Sequence, residues 1–152
     1  VVAVAGCGGF GSRAGAGLVL GCDFRFERYG LSELLLRELL PVKLTNGNDG
    51  RGSRWFKADK RRKAIVKQLA GLKREPFSDP VRVVLTRVLG KGERLWDADS
   101  VGRGNAKELI DSLVELGWWV DDGPKFIREC DYRQDANRRD DGSAVLVEVF
   151  SC

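Results

Sequence analysis

The clearest hydrophobic pattern in the chain lies at residues 105–116. There Ala106, Leu109, Ile110, Leu113 and Leu116 recur at the three- and four-residue spacing of one helix face, and Gly117 stands where a helix would stop. A second helix is expected over 57–71, a basic segment in which Ile65, Leu69 and Leu72 share a stripe. Residues 81–89 read as a strand, and two more strands are expected near 126–133 and 144–150. Residues 31–40, LSELLLRELL, fit either a short amphipathic helix with Ser32 as cap and Pro41 as limit, or an extension of a short strand at 41–44. Turn formers fill the gaps: a polar loop at 45–52, prolines 76 and 80, the Gly90-Lys91-Gly92 turn and a charged loop at 135–142. The resulting order, β-α-β-α-β-β, predicts an α+β fold, a single domain whose mixed β-sheet carries two packed helices.

At 152 residues and 43% apolar content the chain is long enough for one ordinary core. Residues 1–38 are read as an N-terminal extension, poorly ordered or non-native, and 39–152 as the domain. Within the extension, Gly6, Gly8 and Gly11 match a dinucleotide-binding fingerprint by letter. The following Ala14-Gly15-Ala16-Gly17 is poor helix material, which argues against that site and against an oxidoreductase. The run 19–22, ending at Cys22, is a weaker match to a secretory or lipoprotein signal, since no basic segment precedes it. No methionine occurs, including at position 1, so the chain is read as a fragment, a processed product or a translation without its true start.

Charge changes the picture more by placement than by sum. The 26 Lys plus Arg exceed the 22 Asp plus Glu by only four, yet residues 51–74 hold ten cations against Asp59 and, in this block, no other acid. Such a block suits either a polyanion, whose phosphates release counterions when neutralised, or a solvated helix face. Arg51, Arg54, Lys57, Lys60 and Arg61 are the candidate DNA contacts, with Trp55 and Phe56 as stacking or packing residues. Histidine is absent, which removes serine–histidine and cysteine–histidine catalysis and histidine zinc sites. Cys7, Cys22, Cys130 and Cys152 show no CxxC spacing, so a reducing cytoplasm is the expected location.

What remains for chemistry is carboxylate. Asp97 and Asp99, two apart, share a face if the segment is extended, and Asp121-Asp122 follows the second helix, which could bring it back beside them. Clustered carboxylates repel one another unless a cation or proton intervenes, and Mg2+ or Mn2+ prefers such oxygen donors. The alternative is a set of exposed turns, with Lys107 and Asp111 a surface ion pair four residues apart.

The stretch from Trp96 to Asp122, WDADSVGRGNAKELIDSLVELGWWVDD, resembles the signature of RusA-type Holliday-junction resolvases. The corresponding elements are Asp97-Ala98-Asp99-Ser100, Lys107 at a helix start, Asp111, Gly117-Trp118-Trp119 and Asp121-Asp122; upstream, Leu40-Pro41, Asn46 and the basic helix resemble the family more weakly. The resemblance implies an endodeoxyribonuclease of branched DNA, acting as a homodimer, with Asp97, Asp99 and Asp122 holding Mg2+ (or Mn2+), Asp121 as an alternative ligand and Lys107 assisting at the phosphate. No membrane and no small-molecule cofactor are expected. The chain departs from the pattern in Ser100, where the family has asparagine, and in 101–104, which lengthen the path to Lys107 and offer Arg103 as a substitute. A non-catalytic DNA-binding protein of the same fold is the alternative reading.

Overall fold

The computed structural model describes residues 32–46, 55–97 and 100–152. Its elements run β1 (Leu34–Leu40), α1 (Trp55–Gln68), β2 (Val81–Val88), α2 (Ser100–Arg103), α3 (Ala106–Glu115), β3 (Ile127–Asp135) and β4 (Ala144–Ser151), with 3-10 turns at Ala70–Leu72 and Arg139–Asp141. The strands form one mixed sheet in the order β1-β4-β2-β3. β4 is antiparallel to both β1 and β2, whereas β2 and β3 run parallel. A parallel pair needs a crossover, and α2 and α3 supply it.

The strand sequences match their places. The central strands β2 and β4, VRVVLTRV and AVLVEVFS, are mostly buried, and the edges β1 and β3 carry the charged, more exposed sequences LLLRELL and IRECDYRQD. Charged side chains on edge strands discourage pairing with other chains. Val83, Leu85, Val145, Val147 and Val149 join Ile65 of α1, Leu69 just after it, Val101 of α2 and Leu109 and Leu113 of α3 in the main core. A small second cluster joins Val88, Ala144 and Leu146. The expected α+β sheet with packed helices is what forms, with α2 as an additional short helix.

Two boundaries differ from the sequence reading. Of the two options for residues 31–40, the strand forms and the helix does not: the strand runs from Leu34 to Leu40 and stops at Pro41, while 41–44, expected as its continuation, are not strand. Backbone pairing with β4 decides the matter, because six of these residues are matched to β4 partners in the ladder. Val42 and Leu44 are still buried, so the hydrophobic signal at 41–44 reports core contact rather than strand. The domain boundary read between residues 38 and 39 therefore falls inside β1, and the domain takes in the strand from Leu34.

Gly117 ends α3 as anticipated. At φ 84° it lets its own N–H donate to Val114 O at 2.9 Å and that of Trp118 donate to Leu113 O at 2.9 Å, the two bonds of a Schellman cap. The chain then turns into Trp118 and Trp119, both buried in the main core, and the Trp118 indole donates to Leu72 O at 3.0 Å. Among the described residues no helix is long and apolar enough to cross a membrane. Gly6, Gly8 and Gly11 lie outside the described residues, as do all residues of the expected extension up to Leu31.

Candidate functional site

Lys107 sits in the first turn of α3 with Asp111 one turn further on, the spacing at which helix side chains meet. Asp122 reaches the same point by another route, carried back by the glycine cap and the two buried tryptophans. The Lys107 ammonium donates to Asp122 Oδ2 at 2.7 Å and to Asp111 Oδ1 at 3.2 Å. The hydrogen bond from Lys107 holds Asp122 below the usual carboxylate range, against a smaller opposing effect of burial. Asp122, and then Asp111, in turn raise the pKa of Lys107. Asp121 and Asp122 are both exposed. The cluster is an anionic surface already gathered around one cation.

Asp97 lies on the loop leaving β2, and that loop is held by a buried polar network. Arg87 is only 4% exposed, on the one strand where every other neighbour but Arg82 and Thr86 is apolar. Its guanidinium donates to Glu93 Oε2 at 3.0 Å, to Arg94 O at 3.1 Å and to Gln134 Oε1 at 3.1 Å, and stacks 3.7 Å from the Trp96 ring centroid. Glu93 also accepts from Lys43 at 2.8 Å, Ser143 Oγ at 2.8 Å and the Gly90 N–H at 3.2 Å. Burial alone would raise the Glu93 pKa; those hydrogen bonds and the Arg87 charge outweigh it and bring it to about 2. Arg139 closes the loop by donating to Gly90 O and Glu93 O at 3.0 and 2.7 Å.

Beyond Asp97 the lengthened stretch is a folded part of the site. Asp97 O accepts the Ser100 N–H at 2.9 Å, Ser100 is buried, and Val101 of α2 enters the main core. Gly104 then donates to Ser100 O at 3.0 Å and comes so close to Thr45 that a Cβ there would lie 2.5 Å from Thr45 O. Asn105 is buried and accepts the Thr45 N–H at 2.8 Å, which ties the end of the first polar loop to the start of α3. Residues 101–104 thus lead the chain into α3, at whose start Lys107 stands; Arg103 is exposed.

On α1 the cations divide by chemistry. Arg61 makes a two-pronged pair with Glu108 of α3, and Arg62 bonds Asp59 at 3.0 Å and lies 3.8 Å from Glu115. Lys57, Lys60 and Lys67 are exposed, and Lys63 pairs with Asp59 at 2.8 Å. Arg61, expected among the DNA contacts, ties α1 to α3, where the Glu108 carboxylate faces its planar fork. Lys57 and Lys60 remain on the surface. Arg51, Arg54 and Asp99 lie outside the described residues, and the side chains of Trp55 and Phe56 are likewise not described.

The structure therefore gathers Lys107, Asp111 and Asp122, places Asp97 at the end of a pinned loop and leaves Asp121 exposed beside Asp122. Among the described residues no three Asp, Glu or Cys side chains form a metal-binding group. The donor set still suits a hard cation in kind: it is carboxylate oxygen, without imidazole, and Asp122 already sits against a positive charge. Arg87, Glu93, Gln134 and Asn105 were not singled out from the sequence. Arg87 alone left a trace there, as a charge inside an apolar strand. No protein-family model matches the chain, and no curated protein matches it significantly.

Proposed function

We propose that this protein is a divalent-metal-dependent endodeoxyribonuclease of branched DNA, cutting phosphodiester bonds in the manner of the RusA-type resolvases that residues 96–122 resemble. The observation that carries the reading is the contact between Lys107 and Asp122. Two elements of the motif fifteen residues apart meet at 2.7 Å, across α3 and the turn that follows it.

Asp97, Asp99 and Asp122 would hold Mg2+ or Mn2+, with Asp121 as the alternative to Asp122. Bound there, the ion supplies Lewis acidity at the phosphate and makes water more acidic. Asp122 suits this role as a carboxylate whose ionised form is favoured further by the hydrogen bond from Lys107. Lys107 has a second carboxylate partner in Asp111, so releasing Asp122 leaves it charged and still oriented. From that position it can offset the negative charge that grows on the phosphate during in-line attack. Lys57 and Lys60 on the outer face of α1 supply contacts to the DNA backbone, which fix position without reading sequence. A four-way junction takes two matched cuts, for which a two-fold symmetric homodimer in the cytoplasm is the fitting assembly.

The test is cleavage of a synthetic four-way junction in Mg2+ or Mn2+, with a linear duplex as control. Wild type should cut the junction, while Asp99→Asn and Asp122→Asn should bind it without cutting. Binding without cleavage by wild type itself would instead favour a DNA-binding protein of this fold, and cleavage that survives Asp99→Asn would overturn the assigned site.

A further inference from the structure

Asp97 is exposed, and the contacts that hold it act on the backbone. Arg94 and Leu95 before it are also exposed, Leu95 by 61%. From Arg94 to Trp96 the backbone has, among the described residues, only side-chain partners, and all of them come from two residues that sit opposite each other on β2 and β3, Arg87 and Gln134. Gln134 uses both ends of its amide on Trp96. Its Oε1 accepts the Trp96 N–H at 2.9 Å and its Nε2 donates to Trp96 O at 2.9 Å.

This two-point contact has a specific consequence. The carbonyl of Trp96 belongs to the peptide unit that also contains the nitrogen of Asp97, and a peptide unit is planar. Fixing Trp96 O fixes that plane, and with it the N–Cα bond of Asp97, about which its side chain turns. Arg87 completes the clamp by donating to the same Gln134 Oε1 and by stacking on the Trp96 ring. On the far side, Asp97 O accepts from Ser100, so Asp97 is held at both of its peptide bonds. The Glu93–Arg139–Ser143 contacts secure the beginning of the same loop and would keep it folded without Gln134.

We infer that Gln134, backed by Arg87, is a positioning residue that aims the Asp97 carboxylate at a divalent cation. The inference rests on the metal site of the proposed nuclease reading. Gln134 does not touch the ion or the DNA in this role; it acts through the backbone of Trp96. Outer groups that orient metal ligands commonly govern affinity by about 10- to 100-fold, and Gln134→Ala should weaken binding by at least the lower figure.

The experiment measures Mn2+ binding by electron paramagnetic resonance for wild type, Gln134→Ala and Gln134→Glu, with amide hydrogen exchange on the same samples and junction cleavage assayed separately. Gln134→Ala should raise the Mn2+ dissociation constant about tenfold or more and speed exchange at Trp96, while β2 and β3 stay protected. Gln134→Glu keeps the acceptor and loses the donor to Trp96 O, so it should fall between the two. Should Gln134→Ala lose protection throughout β2 and β3, Gln134→Glu decides on the same readout. Mn2+ binding equal to wild type in a folded variant overturns the inference alone, and the nuclease reading stands if wild type cuts. The expected loss of Mn2+ affinity with no cutting by wild type overturns the nuclease reading and leaves the positioning role. A wild type that neither binds Mn2+ nor cuts overturns both.

Discussion

Lys107 donates to Asp122 at 2.7 Å while holding Asp111 at 3.2 Å, so one ammonium answers carboxylates from both sides of the α3 turn. A divalent cation arriving at Asp122 must displace this ammonium. Lys107→Ala should therefore bind Mn2+ a few-fold more tightly and yet cut a junction more slowly, by about 100-fold or more if the charge acts on the transition state. Stability should change little, since the Lys107 and Asp122 side chains are 69% and 39% exposed and such surface pairs contribute about 0–1 kcal/mol. Mn2+ titration and single-turnover cleavage of the same variant check the two effects, and unchanged cleavage would remove Lys107 from the mechanism.

The division of cations on α1 separates binding from stability. Lys57→Ala with Lys60→Ala should lower the slope of log K against log salt for junction DNA by up to about 2, roughly one for each phosphate left without its lysine. Arg61→Ala should leave that slope unchanged and lower the unfolding free energy by about 1 kcal/mol, because its fork bridges to Glu108 across the helix pair and is 36% exposed. Salt-dependent binding and urea unfolding measure both. The reverse pattern, with Arg61 carrying the slope, would return it to the DNA surface.

Much of the architecture was legible because burial repeats along the chain. The stripe of α3, its stop at Gly117 and the apolar strand at Val81–Val88 follow from local periodicity, and the structure contains each of them. Periodicity failed at LLLRELL, which has too few polar positions to show a period; its strand state is set by hydrogen bonds to β4, from the far end of the sequence. In the candidate site, the pairing of Lys107 with Asp111 was visible from spacing. That Asp122 joins them depends on the return path after Gly117. Gln134 was invisible, because its role comes from lying beside Arg87 across two parallel strands and opposite a loop, and no sequence spacing encodes such a meeting. The segment 101–104 looked like an interruption only while nothing placed Val101 in the core.

Gly117 joins two requirements at one position. Its φ of 84° is one that side chains rarely adopt, and a Cβ there would lie 2.5 Å from Arg74 O, a backbone atom that cannot easily withdraw. Arg74 N also bonds Leu116 O at 3.2 Å, so the contact lies in the joint between the first helical region and the end of α3. Gly117→Ala should cost roughly 2–4 kcal/mol, combining strained backbone with a forced shift. Because that joint directs the path to Asp122, the variant should also lose Mn2+ affinity. Urea unfolding measures the first effect, and a loss below about 0.5 kcal/mol would contradict the steric argument.

Glu93 gives the loop that leads to Asp97 an acid-sensitive element. Its pKa falls from the ordinary 4.5 to about 2 in the folded chain, so its ionised form stabilises the fold above about pH 4.5, and that contribution is lost as pH falls toward 2. The side chain is 14% exposed and meets Arg87, which is 4% exposed, although Lys43 on its other side is 66% exposed and screened. Discounting for that screening, Glu93→Gln should lower the unfolding free energy at pH 7 by roughly 2–3 kcal/mol. Glutamine resembles protonated glutamate, so the difference between variant and wild type should begin to shrink below pH 4.5 and be nearly gone near pH 2. Urea unfolding of both proteins across that range measures it. A difference that stays constant down to pH 2 would mean that Glu93 contributes through shape and not through its charge.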